Sequence, residues 1–176
     1  MILRKIRSFH RNQAGFTLIE IIATLAISGI IGLGATMANA QVIKQTVKNN
    51  DYTAANRQVL NAIQWIGRDA QMAQKIEGDE GFPNTSNLTL QWTTWDNQLN
   101  QVVYSMADDQ LRRSYTIDDG PAQELLIAQY IDPDALSCDW DENTGELTLT
   151  ITGSVGEGTH AIEVIKEKTT TSRPNL

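Results

Sequence analysis

The chain has 176 residues, a formal net charge of −7 and one cysteine, Cys138. That length holds one ordinary soluble domain beside an apolar segment, and a single thiol excludes an internal disulfide. Between Glu77 and Ile165 there are seventeen Asp or Glu against only Arg112 and Arg113, which argues against the basic face that nucleic-acid binding needs.

The first fifteen residues carry Arg4, Lys5, Arg7 and Arg11 and no acid. From Phe16 to Ala40 follow 25 residues in which Glu20 is the only charged side chain. At about 1.5 Å of rise per residue, a helix of that length crosses a bilayer. Two plain readings fit this order. One is a secretory signal peptide, with "ANA" at 38–40 as a small-residue cleavage site, although the apolar run is far longer than usual. The other is an N-terminal anchor with its basic end in the cytoplasm. Neither explains a carboxylate in the apolar run, where an uncompensated charge is costly, nor a basic block that stops at Gly15.

The stretch "GFTLIEIIATLAISGIIGLGA" resembles the N-terminus of type IV pilins and type II secretion pseudopilins. In that family a short basic leader ends in glycine, the next residue is usually phenylalanine, and the fifth mature residue is glutamate. Gly15, Phe16, Thr17, Leu18 and Glu20 match. The resemblance implies that a prepilin peptidase cuts between Gly15 and Phe16 and that the new amine of Phe16 is N-methylated. It implies an assembly role for Glu20, whose carboxylate would pair with the Phe16 amine of a neighbouring subunit. Such a pair in low dielectric sets register when it is well matched.

Helical periodicity continues after Ala40. Val59, Ile63, Ile66, Ala70 and Ala73 recur at spacings of four and three, and Gln41 to Ile76 contains no proline and only Gly67 as glycine. The pattern predicts one helix from about 16 to about 76, apolar all round in its first half and amphipathic in its second. Gly29, Gly32 and Gly34 lie in the first half, as packing notches for other helices or as points where the helix loosens.

Residues 77–86, "EGDEGFPNTS", read as a loop. Strand-like runs follow at 88–95, 99–106 and 110–117, separated by "DNQ" and "ADD", which suit tight turns. Residues 122–131 fit a short helix or a strand. A second strand group is expected at 135–141, 146–152 and 160–168, and the tail "TTTSRPNL" is expected to fray.

The fold class is therefore α+β. It is the pilin-like lollipop: a long N-terminal α-helix, half membrane and half amphipathic, packed on a C-terminal antiparallel β-sheet domain. The expected organisation is a leader at 1–15, a transmembrane and filament-core helix at 16–40, an amphipathic helix at 41–76, a β-rich head at 77–168 and a tail at 169–176. Within the family the head resembles the J-type minor pseudopilins, through "NAIQWIGRDAQMAQ" at 61–74, "VVYSMADDQLRRSY" at 102–115 and "ELTLTITGSV" at 146–155. Arg68–Asp69, Tyr104 and Leu111–Arg112 carry that resemblance. There is no proline near Met37 and no C-terminal disulfide loop, which argues against a major pilus subunit.

No catalytic set is expected. His10 and His160 are the only histidines, and the chain has no P-loop pattern. Arg112–Arg113 reads as a charge pair on a strand in preference to a ligand clamp, and Trp92, Trp95 and Trp140 as core or sheet-face aromatics. In "DWDENTGE", Asp139, Asp141 and Asn143 alternate like the first ligands of a calcium loop. The glycine needed at the sixth position is displaced to Gly145 and the twelfth position is Thr150, so a hairpin turn is the simpler reading. No cofactor is expected. The resemblance implies a single-pass protein of the bacterial inner membrane, N-terminus in the cytoplasm and head outside. Its implied partners are the prepilin peptidase, other pilins or pseudopilins and the inner-membrane assembly platform. The function expected is a minor pilin or pseudopilin of a type II secretion pseudopilus or type IV pilus. The alternatives are a major pilus subunit and a tip adhesin or cargo-binding module.

Overall fold

A computed structural model describes residues 16–156 and 161–173. The leader, including Gly15 and His10, lies outside the described residues, as do His160 and residues 174–176. One helix, α1 (Leu18–Met72), is followed by eight strands: β1 (Lys75–Glu77), β2 (Leu88–Thr93), β3 (Leu99–Ala107), β4 (Gln110–Ile117), β5 (Gln123–Ala128), β6 (Ser137–Asp141), β7 (Glu146–Val155) and β8 (Ile162–Thr171). All strand pairs are antiparallel, so the architecture is a long N-terminal helix followed by an antiparallel β-sheet domain. The chain divides into two compact units at Gln45/Thr46.

The first unit is the apolar part of α1. Every described residue from 16 to 45 is exposed. The helix runs unbroken through Gly29, Gly32 and Gly34, none of which would bring an added Cβ within 4 Å of another group.

The second unit holds the core. On α1, Ala55, Val59, Ala62, Ile63, Ile66 and Ala70 are buried, the three-and-four spacing of one apolar face. From Val59 on, they share a core with Leu88, Leu90, Val102, Tyr104 and Leu111 of one sheet and Leu147, Leu149 and Ile151 of the other. The first sheet is a meander ordered β1-β2-β3-β4-β5, the second is ordered β6-β7-β8, and alternation along β2 and β7 turns every second side chain inward. Ile131 ties the connection between the sheets in place: it bridges to Gly153, and its N–H donates to the Asp109 carbonyl at 3.0 Å.

Several elements differ from expectation. The helix stops at Met72, and residues 75–77 form a strand. Ile76 continues the helical spacing but is equally buried by strand alternation, and the ladder to β2 claims it. Residues 122–131, open between helix and strand, contain strand β5 and the bridging Ile131. The tail does not fray from 169: Thr169–Thr171 finish β8 because β7 extends to Glu146 and its end needs a partner. Pro133–Ala135 is a turn of 3-10 helix, so the strand expected from 135 begins at Ser137. Trp95 is 98% exposed. The Thr94 N–H turns to the Gln98 carbonyl, and the inward alternation of β2 ends before Trp95.

Candidate functional site

The helix start is built by its own sequence. The Thr17 N–H donates to Glu20 Oε2 at 2.8 Å, the Thr17 hydroxyl donates to the same oxygen at 2.9 Å, and the Glu20 N–H reaches Thr17 Oγ1 at 3.4 Å. This reciprocal Thr-x-x-Glu arrangement is a capping box, which satisfies N–H groups that a first helical turn leaves without intrahelical partners. Both Thr17 donors converge on Oε2, and Glu20 Oε1 accepts no hydrogen bond among the described residues. Phe16, immediately before the cap, is 82% exposed. The expected site residues Phe16 and Glu20 thus stand at one helix end, while Gly15 falls outside the described residues.

Above the cap, two threonine hydroxyls are satisfied within the helix. The Thr24 hydroxyl donates to the Ile21 carbonyl, and the Thr36 hydroxyl to the carbonyls of Gly32 and Leu33. A hydrocarbon environment demands such internal pairing. This helix is long and apolar enough to cross a membrane.

A family model described as a prokaryotic N-terminal methylation motif matches residues 10–36. The chain carries this methylation motif. It spans the basic-to-apolar boundary and the capped glutamate, and it supports the type IV pilin and pseudopilin family. It indicates a structural subunit, processed by prepilin peptidase and assembled with other pilins, and together with the apolar helix it fits a single-pass membrane-anchored protein. A search of curated proteins and a search of solved structures found no match. The methylation motif covers the N-terminal region and does not extend to the head.

In the head, Asp69 of α1 is fully buried. Tyr104 Oη donates to its Oδ2 at 2.6 Å, Arg113 Nε donates to the same oxygen at 2.6 Å, and Arg113 Nη2 donates to Oδ1 at 3.3 Å. Burial, followed by the charge of Asp69 and the bond to it, pushes the Tyr104 phenol well up. Burial alone would lower Arg113, but the bond to Asp69 and its charge outweigh that and raise it. Trp65 completes the cluster: the Arg113 guanidinium lies 5.2 Å from its ring centre and that of Arg68 4.2 Å. The pair expected at Arg112–Arg113 is thus split. Arg113 clamps a buried acid, while Arg112 donates to Gln110 Oε1 at 3.0 Å. The sequence singled out Asp69 and Tyr104 only through a resemblance. An acid three residues after Ile66, on the buried face, and an arginine on a strand of an acidic domain were the physical signals that connect them.

Asp139, Asp141 and Asn143 belong to the β6–β7 hairpin. Asp141 Oδ1 accepts from the Asn143 backbone N–H at 2.8 Å and from Asn143 Nδ2 at 3.2 Å, while Gly145 takes the left-handed conformation at φ 69°. The Asn143 N–H, with the neighbouring Thr144 hydroxyl, holds the Asp141 carboxyl below its usual range. Closing the turn thus takes up groups of Asp141 and Asn143 that a metal would need, and Asp139 lies on β6. Cys138 is buried, and desolvation, helped by the charges of Asp79 and Asp139, pushes its thiol up to about 12. A polar cavity of about 670 Å³ opens beside β1 and β2, with Gln74, Lys75, Glu77, Thr93, Trp140 and Glu142 among its lining residues.

Proposed function

We propose that this chain is a minor pilin or pseudopilin, cut between Gly15 and Phe16 and inserted by its apolar helix into a type II secretion pseudopilus or type IV pilus. The observation that carries this reading is the methylation motif over residues 10–36, with Glu20 capped by Thr17 at its centre. Cleavage converts an amide at Phe16 into a cationic amine. Glu20 Oε1, which accepts nothing among the described residues, is the atom to receive that amine from a neighbouring subunit. The pairing is intermolecular because the other oxygen is already committed to the subunit's own cap.

In this reading the chain is anchored in the bacterial inner membrane with the basic leader in the cytoplasm, and the assembly platform extracts it into the filament. The role is structural and not catalytic. The absence of a proline near Met37 and of a C-terminal disulfide loop favours a minor over a major subunit. The contact between Asp69 and Tyr104 joins two pieces on which the J-type resemblance rests.

Intact-mass and N-terminal peptide spectrometry of the native protein test the proposal. The expected product begins with N-methylated Phe16 and is far less abundant in sheared filaments than the main subunit. Gly15→Val should leave the full-length precursor in the membrane. A mature protein that begins after Ala40 contradicts the reading, and a dominant abundance in filaments makes it the major subunit.

A further inference from the structure

Strand β1 is shorter than its neighbour β2, and the shortfall leaves a gap. Its first residue, Lys75, pairs with Gln91. Beyond that register, Trp92 and Thr93 of β2 have a strand partner on one side only, in β3. The Thr93 N–H is taken there by the side chain of Gln74, whose Oε1 accepts it at 2.9 Å. The polar cavity of about 670 Å³ lies at this gap, and the β6–β7 hairpin contributes Trp140 and Glu142 to its lining. Its size falls within the roughly 300–1,000 Å³ of small-ligand sites.

The polar groups of the lining narrow the ligand. Of its three charged side chains, Lys75 and Glu77 pair with each other at 2.5 Å. Glu142 is left, on the exposed hairpin, where it repels an anion. The other polar groups are neutral. Gln74 has committed its Oε1 to Thr93 and keeps its amide hydrogens. Gln91 donates to Gln101 Oε1 at 3.4 Å and keeps its own Oε1. Thr93 Oγ1 makes no hydrogen bond among the described residues. Donors and acceptors therefore lie side by side. A ligand hydroxyl uses both kinds, since it donates once and accepts twice, whereas a cation would leave the Gln74 amide hydrogens unmatched.

The aromatic groups supply the rest. Trp92 is held against Tyr115, with ring centres 6.3 Å apart, while Trp140 is half-buried and stacks on no ring among the described residues. The face of an indole is negative and attracts the positive edge of an apolar group. A pyranose ring whose hydroxyls are all equatorial offers such a surface: axial C–H groups on each face and hydroxyls around the rim.

We propose that this cavity is a binding site for a neutral saccharide built of pyranose rings with equatorial hydroxyls. Trp140 is the stacking platform, and Gln74, Gln91 and Thr93 meet the hydroxyls. This inference rests on the head alone and does not depend on the filament reading.

The test uses the purified full chain in a polyoxyethylene detergent, whose head group carries no sugar. The probes are cellobiose, cellobiouronate, which adds one carboxylate, and tetramethylammonium. The readout is the NMR shift of the Trp140 indole N–H and of the Gln74 side-chain amide. Cellobiose should shift both saturably, cellobiouronate should bind more weakly, and tetramethylammonium should shift neither. Trp140→Ala should weaken cellobiose about tenfold or more. Trp95→Ala, at a 98% exposed position outside the lining, should leave it unchanged, and so should Glu142→Gln, because the ligand is neutral. Trp140 packs against the core, so melting temperatures are followed alongside. If Trp140→Ala does not fold, Gln91→Leu decides by removing an acceptor at a half-buried strand position, and should weaken cellobiose about threefold or more. No saturable shift at tens of millimolar cellobiose, equal binding of cellobiouronate, or indifference to both Trp140→Ala and Gln91→Leu overturns the proposal. Weakening by Trp95→Ala as large as that by Trp140→Ala makes the binding surface stacking, and tetramethylammonium binding that Glu142→Gln abolishes makes the cavity a cation site; either overturns it too.

Discussion

Two carboxylates on one helix behave in opposite ways. Glu20 sits in the first unit, where every described side chain is exposed, and its partners within the chain come from Thr17, three residues away. Asp69 sits in the second unit, fully buried, and its partners come from residues 35 and 44 positions away. One acid is satisfied locally and, among the described residues, keeps an oxygen open. The other is closed on all sides by its own fold. The contrast teaches that Asp69 is held by the tertiary fold of the head, whereas the structure engages Glu20 only through its own helix turn; its role in assembly is our proposal.

The comparison breaks most visibly at Asp69. Asp69→Ala leaves Arg113 uncompensated beside Trp65 and should cost about 3–5 kcal/mol of head stability, measured by denaturant unfolding. Glu20→Ala should leave the same unfolding midpoint where it was. Equal effects from both would erase the distinction. Tyr104→Phe removes a bond to a charged acceptor while leaving Arg113 in place, and a loss of about 1.5–3 kcal/mol is expected. A loss as large as that of Asp69→Ala would mean that Arg113 does not hold the acid without the phenol.

A third change probes packing in the same unit. A Cβ on Gly153 would lie 2.6 Å from Val59 Cγ2 and 3.3 Å from the Ala55 carbonyl. Gly153→Ala should therefore force β7 and α1 apart, at about 1–3 kcal/mol. Gly32→Ala, with nothing within 4 Å, should leave the isolated subunit unchanged and show an effect only in assembly, if Gly32 is a packing notch. The smallest effect is expected at Asp141. Its carboxyl is held down in the fold by the Asn143 N–H. A depressed folded pKa contributes stability above the ordinary carboxylate range and loses it as the pH falls through the folded value. Asp141→Ala should remove that small contribution at pH 7 and with it part of the acid limb below about pH 4, and change little at lower pH, where the carboxyl is protonated in either state. Millimolar calcium should leave the melting temperature unmoved, since Asp141 and Asn143 are engaged with each other; a clear rise would revive the metal reading.

Local pattern carried most of the fold. Period 3.6 marked the buried face from Val59 to Ala70, period 2 marked β2 and β7, and "ADD" marked a hairpin in which Asp108 takes φ 55°. What was not legible was decided by distant partners. The switch from helix to strand before Ile76 depends on β2, the survival of strand pairing through Thr171 depends on Glu146, and the exposure of Trp95 depends on a turn bond to Gln98. At the N-terminal site the residue types and spacing were legible, including the carboxylate that needed an explanation. Its capping role was not drawn from Thr17 and Glu20, although their three-residue spacing is the capping signature. The partner of Arg113 was not legible for the reason that hides most long-range pairs: nothing between residues 69 and 113 announces the register that joins them.

The central claim is that the charge of Glu20, and not its cap, serves assembly. Glu20→Gln separates the two, because glutamine can fill the same capping position but cannot neutralise an amine. The decisive measurement is crosslinking of the Glu20→Gln subunit to its filament neighbours, with cleavage after Gly15 followed in the same cells. The account predicts normal cleavage and a loss of crosslinking as severe as that of Glu20→Ala. Wild-type crosslinking in Glu20→Gln would contradict it and leave Glu20 as a helix cap.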